Sequence, residues 1–165
     1  MKYQKEIEIA KQQFELTKKN LTRFAKLNKK KVDDFFHPEH TQVFKKVDCL
    51  ACANCCKTTS PIFRDIDIKR ISKRLKTSEK SFIASALRID EDNDYVLKKS
   101  PCLFLNNDNT CQIYEDRPLA CREYPHTDRK NMYQIMNLTI QNTLICPAVS
   151  IIVQKFNNNN TEKSS

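Results

Sequence analysis

The stretch Cys49-Leu50-Ala51-Cys52-Ala53-Asn54-Cys55-Cys56 decides how this chain is read. Two successive C-x2-C steps end in a vicinal pair. A C-x2-C step lets two thiolates reach one ion from a single tight turn, as in zinc knuckles and iron–sulfur loops. Cys55 and Cys56 are neighbours, so their side chains diverge in most backbone conformations. They suit two different ions, or a bridged pair, better than one side of a single tetrahedron. Four more cysteines follow at wide intervals: Cys102, Cys111, Cys121 and Cys146. Cys146 stands just before Pro147, near a helix N-terminus that favours a thiolate. The expected metal ligands are therefore Cys49, Cys52, Cys55, Cys56, Cys102, Cys111, Cys121 and Cys146. They would fill two tetrahedral sites or one polynuclear site with bridging sulfur, and spacing alone leaves the assignment open.

Eight cysteines in 165 residues read as disulfides in an oxidising compartment or as ligands in a reducing one. Met1 to Lys19 is charged and helix-like, with no apolar core of a signal peptide and no small-residue cleavage site. The greasiest stretch, Ile145 to Val153, contains Pro147 and is too short for a membrane span. The expectation is a cytoplasmic protein with reduced thiols and no membrane span. Its expected cofactor is Zn2+ or iron, the latter including an iron–sulfur cluster. His126, close after Cys121, could replace a thiolate in a mixed site. His37-Pro38-Glu39-His40 offers two histidines three apart, with the proline suited to a first helical turn.

The chain has no glycine. That excludes a phosphate-binding P-loop, a dinucleotide-binding turn and a G-x-S-x-G nucleophile elbow, all of which need glycine where backbone turns sharply or approaches a ligand. Tight turns must use Asn and Asp, which tolerate left-handed backbone. Asn106 to Asn109 and Asp90 to Asp94 read as such turns. The formal charge is +9, but residues 1–31 hold ten Lys/Arg against three Glu, or +7, which leaves +2 for the rest. Aromatic interleaving of the kind single-strand binders use is weak, so nucleic acid is not the expected partner. A partner protein on the N-terminal helix fits better.

Apolar residues Ile7, Ala10, Phe14, Thr17, Leu21 and Phe24 recur at three- and four-residue steps, which predicts one helix over 4–31. Lys29-Lys30-Lys31 reads as its solvated C-terminal end, and 33–44 as a connector or short helix. Ile66 to Leu75 predicts a helix with Asp65 as N-cap, and Thr77 or Ser78 caps a second through Leu87. Cys102 to Leu105 and Thr110 to Tyr114 read as a hairpin, with Tyr95 to Leu97 as another short strand. A last helix is expected over roughly 147–156, followed by a disordered tail.

The second half adds Pro101-Cys102-Leu103-Phe104-Leu105 and then Cys111-Gln112-Ile113-Tyr114-Glu115-Asp116-Arg117-Pro118-x2-Cys121-Arg122-x-Tyr124-Pro125. With the first cysteine run upstream, this resembles the YkgJ-type cysteine-cluster family, described as a zinc- or iron-chelating domain. The likeness covers about residues 49–126, with Cys146 as a late member. It implies metal binding and supplies no reaction. A related cysteine pattern in flagellin lysine N-methylases would imply a protein-modifying enzyme, but nothing here supplies a methyl-donor pocket.

The expected fold is α+β and predominantly α-helical: a long N-terminal helix packed on a small, metal-stapled cysteine domain with a short β-hairpin. The expected division is 1–46 for the basic helix and connector, 47–156 for the metal-binding domain and 157–165 for the tail. The expected function is chelation of zinc or iron through the cysteines, as a binding protein more than an enzyme, with catalysis left open. The alternatives are an iron–sulfur or iron-dependent redox enzyme, or a protein-modifying one.

Overall fold

The computed structural model describes residues 2–161. Helices dominate, and among the described residues the one named sheet is a two-stranded antiparallel pair, so the fold is α+β and mostly helical. The chain forms two compact units. The first joins Met1–Cys52 to Pro125–Ser165, and the second is Ala53–Tyr124. The boundary falls inside the first cysteine run, so the stretch expected as one domain, 47–156, contributes to both units.

The first unit is all helix. The helix predicted over 4–31 is broken twice, into α1 (Gln4–Gln12), α2 (Phe14–Leu27) and α3 (Lys29–Phe44). Gln13 (φ −97°, ψ 8°) and Asn28 (φ −133°, ψ 44°) leave helical geometry at the two joints. The predicted seam still faces inward: Ile7, Ala10, Thr17 and Leu21 are buried, while Phe14 and Phe24 pack at the edge of the core. Lys29 to Lys31 open α3 instead of closing a longer helix, although they are exposed as expected. The connector expected at 33–44 is helix, and it carries Pro38 in its interior. Proline there removes one helical hydrogen bond, but Val32, Phe36 and Val43 on the same helix are buried and hold it in place.

After the short α4 (Cys49–Cys52), this unit resumes with α9 (Met136–Asn142) and α10 (Pro147–Thr161). Leu21, Val32, Phe36, Met132, Ile140, Val149 and Ile152 form the centre of its core. The Asp33 carboxylate accepts from the Asn131 and Met132 amides at 2.7 and 2.8 Å, which pins the turn leading into α9. Lys155 pairs with Glu39. The last helix runs past 156, because Asn157 is buried and donates to Thr17 at 2.9 Å. Of the expected tail, 157–161 is therefore helix, and 162–165 lies outside the described residues. No single helix is long and apolar enough to cross a membrane.

The second unit is smaller and less regular. After α4 (Cys49–Cys52), which belongs to the first unit, come α5 (Asn54–Thr58), α6 (Asp65–Arg74) and α7 (Glu79–Ala86). Ser78 caps α7, its side chain accepting from the Ser81 amide. Asp65 does not cap α6. Arg64 precedes the helix, and the Asp67 carboxylate accepts the Arg64 amide at 3.2 Å. The hairpin lies at β1 (Leu87–Ile89) and β2 (Tyr95–Leu97), with Leu87 opposite Leu97, joined by the predicted Asp-rich turn. The hairpin expected from 102 to 114 shrinks to one bridge between Leu105 and Cys111. Asn93 and Asn109 take the left-handed backbone that a chain without glycine must place somewhere. The apolar cluster here is Phe63, Ile68, Ile71, Phe82, Leu87, Leu97, Phe104 and Ile113. A short 3-10 turn (Tyr114–Asp116) and α8 (Leu119–Glu123) end the unit.

Candidate metal centre

All eight cysteines are thiols. The fold sorts them differently from the sequence, where they read as four compact and four dispersed. Three belong to the first unit: Cys49 and Cys52 on α4, and Cys146 directly before α10. Five belong to the second: Cys55 and Cys56 on α5, Cys102, Cys111, and Cys121 on α8.

In the second unit the Cys102 amide donates to the Cys56 carbonyl at 2.8 Å. The Leu105 amide donates back to the Cys102 carbonyl at 3.0 Å, and the Leu105–Cys111 bridge follows. Cys102 and Cys111 thus flank one short loop, and both pack against the apolar cluster. Burial raises the pKa of both thiols above the ordinary value. Backbone amides oppose that: those of Phe104 and Leu105 point at the Cys102 sulfur, and that of Ile113 at Cys111. Burial pushes Cys121 up to about 12, and the nearby Cys56, Cys102 and Cys111 sulfurs push the same way. Cys56 moves in the opposite direction, to about 7, because the Cys55 thiol hydrogen-bonds to it and Lys57 adds positive charge, against the effect of burial.

In the first unit Cys49 and Cys52 stand one helical turn apart. Cys146 packs on the main core. Burial raises its thiol to about 11, the Val149 and Ala148 amides at the start of α10 oppose the rise, and Cys49 and Cys52 add to it. The expected helix N-terminus at Cys146 is therefore present, and it directs two amides at the sulfur.

Among the described residues no three His, Cys, Asp or Glu side chains already stand as a ligand set, yet the thiols of each group feel one another's charge. The two observations are compatible. Coulomb interactions reach well beyond contact distance, whereas four sulfurs on one ion at about 2.3 Å must lie about 3.8 Å apart. Among the described residues the groups are therefore neighbourhoods of thiols and not preformed ligand sets.

The donor chemistry fits zinc or iron. Every donor is a soft thiolate precursor, and four of them together fill a structural zinc or iron–sulfur set. Amides aimed at sulfur lower the cost of the thiolate and tune what it holds. Cations lie close: Arg117 favours the charged forms of Cys111 and Cys121, and Arg74 that of Cys111. Arg117 also donates to the Tyr114 carbonyl at 2.6 Å and sits 3.8 Å over the Tyr114 ring. Sequence reading missed Arg74, which lies far from any cysteine in the chain.

It also missed Asp67. This carboxylate is fully buried, 3.0 Å from Arg64 and 2.8 Å from Arg70. Burial alone would raise its pKa, but hydrogen bonds from Arg64 and Arg70 hold it below the usual range. Arg70 donates onward to the Asp116 and Arg117 carbonyls, so Asp67 anchors the segment that delivers Cys121. His37 and His40 are occupied elsewhere: His37 Nε2 bonds the Arg129 carbonyl at 2.9 Å and His40 Nδ1 bonds buried Thr127 at 2.7 Å.

Fold and site together define a helical cysteine-cluster protein with two neighbourhoods of thiols. The chain belongs to the CxxCxxCC family, described as "Putative zinc- or iron-chelating domain", whose model matches residues 48–147. That span contains all eight cysteines. Comparison with curated proteins and with solved structures returned no match.

Proposed function

We propose that this protein chelates zinc or iron through cysteine thiolates, and that the metal holds its smaller unit together. The observation that carries this reading is the second unit's thiol group: Cys56, Cys102, Cys111 and Cys121 share one electrostatic neighbourhood, and backbone amides are aimed at two of the four sulfurs. Thiols buried as neutral groups gain little from such amides, while thiolates gain a charge-assisted hydrogen bond. A divalent ion supplies the positive charge that makes buried thiolates affordable, and Lys57, Arg74 and Arg117 offset the surplus negative charge of a four-thiolate set.

Anaerobic purification with elemental analysis and an absorption spectrum tests this. The expected result is zinc or iron in fixed proportion to protein, with thiolate-to-metal absorption if the metal is iron. A metal-free protein whose eight thiols all react freely, and whose fold survives a chelator unchanged, overturns it.

A further inference from the structure

Helix α2 has two faces with different fates. It turns Thr17, Leu21 and Ala25 into the core of the first unit, and Phe14 and Phe24 pack at the edge of that core. Its outward face carries Lys18, Lys19, Arg23 and Lys26 against one carboxylate, Glu15, and all five side chains are exposed. Among the described residues the ion pairs of this unit lie elsewhere, and none of the four cationic side chains has a partner. Lys19 and Arg23 stand four apart and Arg23 and Lys26 three apart, spacings at which like charges on a helix repel. The fold carries that repulsion without cancelling it.

The same side chains frame an open groove of about 550 Å3, lined among the described residues by α2 from Glu15 to Leu27. Exposed leucines mark the two ends of the face, Leu16 at 44% and Leu27 at 66%. They are eleven residues apart. That is about three helical turns, so both stand on one side, about 16 Å apart, with Arg23 between them.

A cationic face suits several ligands, and the rest of α2 chooses between them. A single nucleic-acid strand needs aromatic rings on which bases stack, and both aromatics of α2 are turned to the core. A lipid surface takes up a helix through a continuous apolar face, and the apolar face of α2 is already buried, which leaves two separated leucines. An acidic amphipathic helix matches both features, with carboxylates for the cations and apolar side chains for the leucines.

We propose that the outward face of α2 docks an acidic, amphipathic helical segment of a partner protein. Lys19, Arg23 and Lys26 pair with its carboxylates, and Leu16 and Leu27 receive its apolar side chains. Three turns of helix make less than a standard interface, so the association is transient and steered by charge. The face uses none of the cysteines, and docking there does not depend on what the thiols hold.

Fluorescence anisotropy with the full chain tests this. The probe is a labelled synthetic helical peptide, with Glu repeated every fourth residue along one side and two Leu three turns apart beside them. Wild type is expected to bind it, and R23E/K26E to bind about tenfold more weakly, since two attractive contacts become repulsive. L16S/L27S should weaken binding about fivefold by removing the apolar contacts. A peptide with Gln for every Glu should not bind, and added salt should release the acidic one. K69E/K80E makes the same change in charge at exposed positions of the second unit and should bind like wild type. An equal loss in K69E/K80E and R23E/K26E would show that net charge alone acts, which overturns the proposal. So does a wild-type chain that leaves the acidic peptide unbound at low salt, or that holds oligo-dT or phosphatidylserine vesicles more tightly than the peptide. Should R23E/K26E fail to fold by circular dichroism, the Gln peptide and the salt series on wild type decide instead, and equal binding of the Gln and Glu peptides refutes the charge pairing.

Discussion

The two units solve the same stability problem with different means. The first buries a continuous apolar core drawn from six helices or turns, centred on Leu21, Val32, Phe36, Ile140 and Ile152, and carries three thiols. The second has eight residues in its apolar cluster, a three-residue hairpin and five thiols. Domains of this size rarely close their energy balance on hydrophobic burial alone and need a staple. The contrast teaches where metal would matter on the proposed reading: for the first unit as an addition, for the second as a condition of folding.

The sharpest way to break this contrast is to remove the metal. Chelation should abolish amide-exchange protection across 63–121 while leaving α2, α3 and α10 protected, since structural zinc supplies an apparent ~10 kcal/mol or more in small domains. Equal loss in both units would refute the comparison. Next in size is Phe36→Ala, which empties a fully buried site packed edge-to-face on Phe35 at 5.3 Å. It should cost about 4 kcal/mol, measured by denaturant unfolding of the first unit, and leave metal content unchanged. Asp67→Ala should cost about 3 kcal/mol by leaving Arg70 without its buried partner. Its effect should appear in the second unit and lower metal retention during gel filtration.

A pH series separates the units more gently. In metal-free protein the first unit stays folded, and burial pushes its Cys146 thiol up to about 11 from the ordinary 9.0. A thiol whose folded pKa is raised favours folding while protonated. Its contribution is whole below pH 9 and lost as pH climbs toward that value. Metal-free protein should therefore lose stability from pH 9 upward by thermal denaturation. Metal-loaded protein should do the reverse and release its ion on acidification, because ligands must be deprotonated to bind. The smallest effect belongs to Ser78→Ala, which removes the cap on α7 at a cost of about 1 kcal/mol. A far larger loss would mean that the second unit is less dependent on its metal than on its helices.

Much of this was legible in the residues. The helical seam, the Asn turns, the Ser78 cap and the eight cysteines all carry local signals, because each depends on neighbours a few positions away. The breaks at Gln13 and Asn28 were not legible, since no proline or glycine marks them and packing of α1, α2 and α3 against α9 and α10 sets the angles. Pro38 reads as a helix start, yet it lies inside α3 because buried Phe36 and Val43 outweigh one lost hydrogen bond. The electrostatic influence of Cys49 and Cys52 on Cys146 joins positions far apart in the chain, and spacing cannot encode a proximity that only the folded unit creates.

That intervening unit has a consequence in time. The ribosome makes the chain in order, and α1 to α3 leave it well before α9 and α10. At typical synthesis rates the delay is on the order of ten seconds, during which Leu21, Val32 and Phe36 lack the surface they will be buried against. The second unit, Ala53–Tyr124, is synthesised between them, and on the proposed reading it would take up its ion first. A chain arrested after Tyr124 should therefore give a protease-resistant fragment over 53–124 when zinc is supplied, while α1 to α3 are digested. Protection of those helices instead would reverse the order. On that reading metal capture would be an event of synthesis, completed while α1 to α3 still wait for α9 and α10 to arrive.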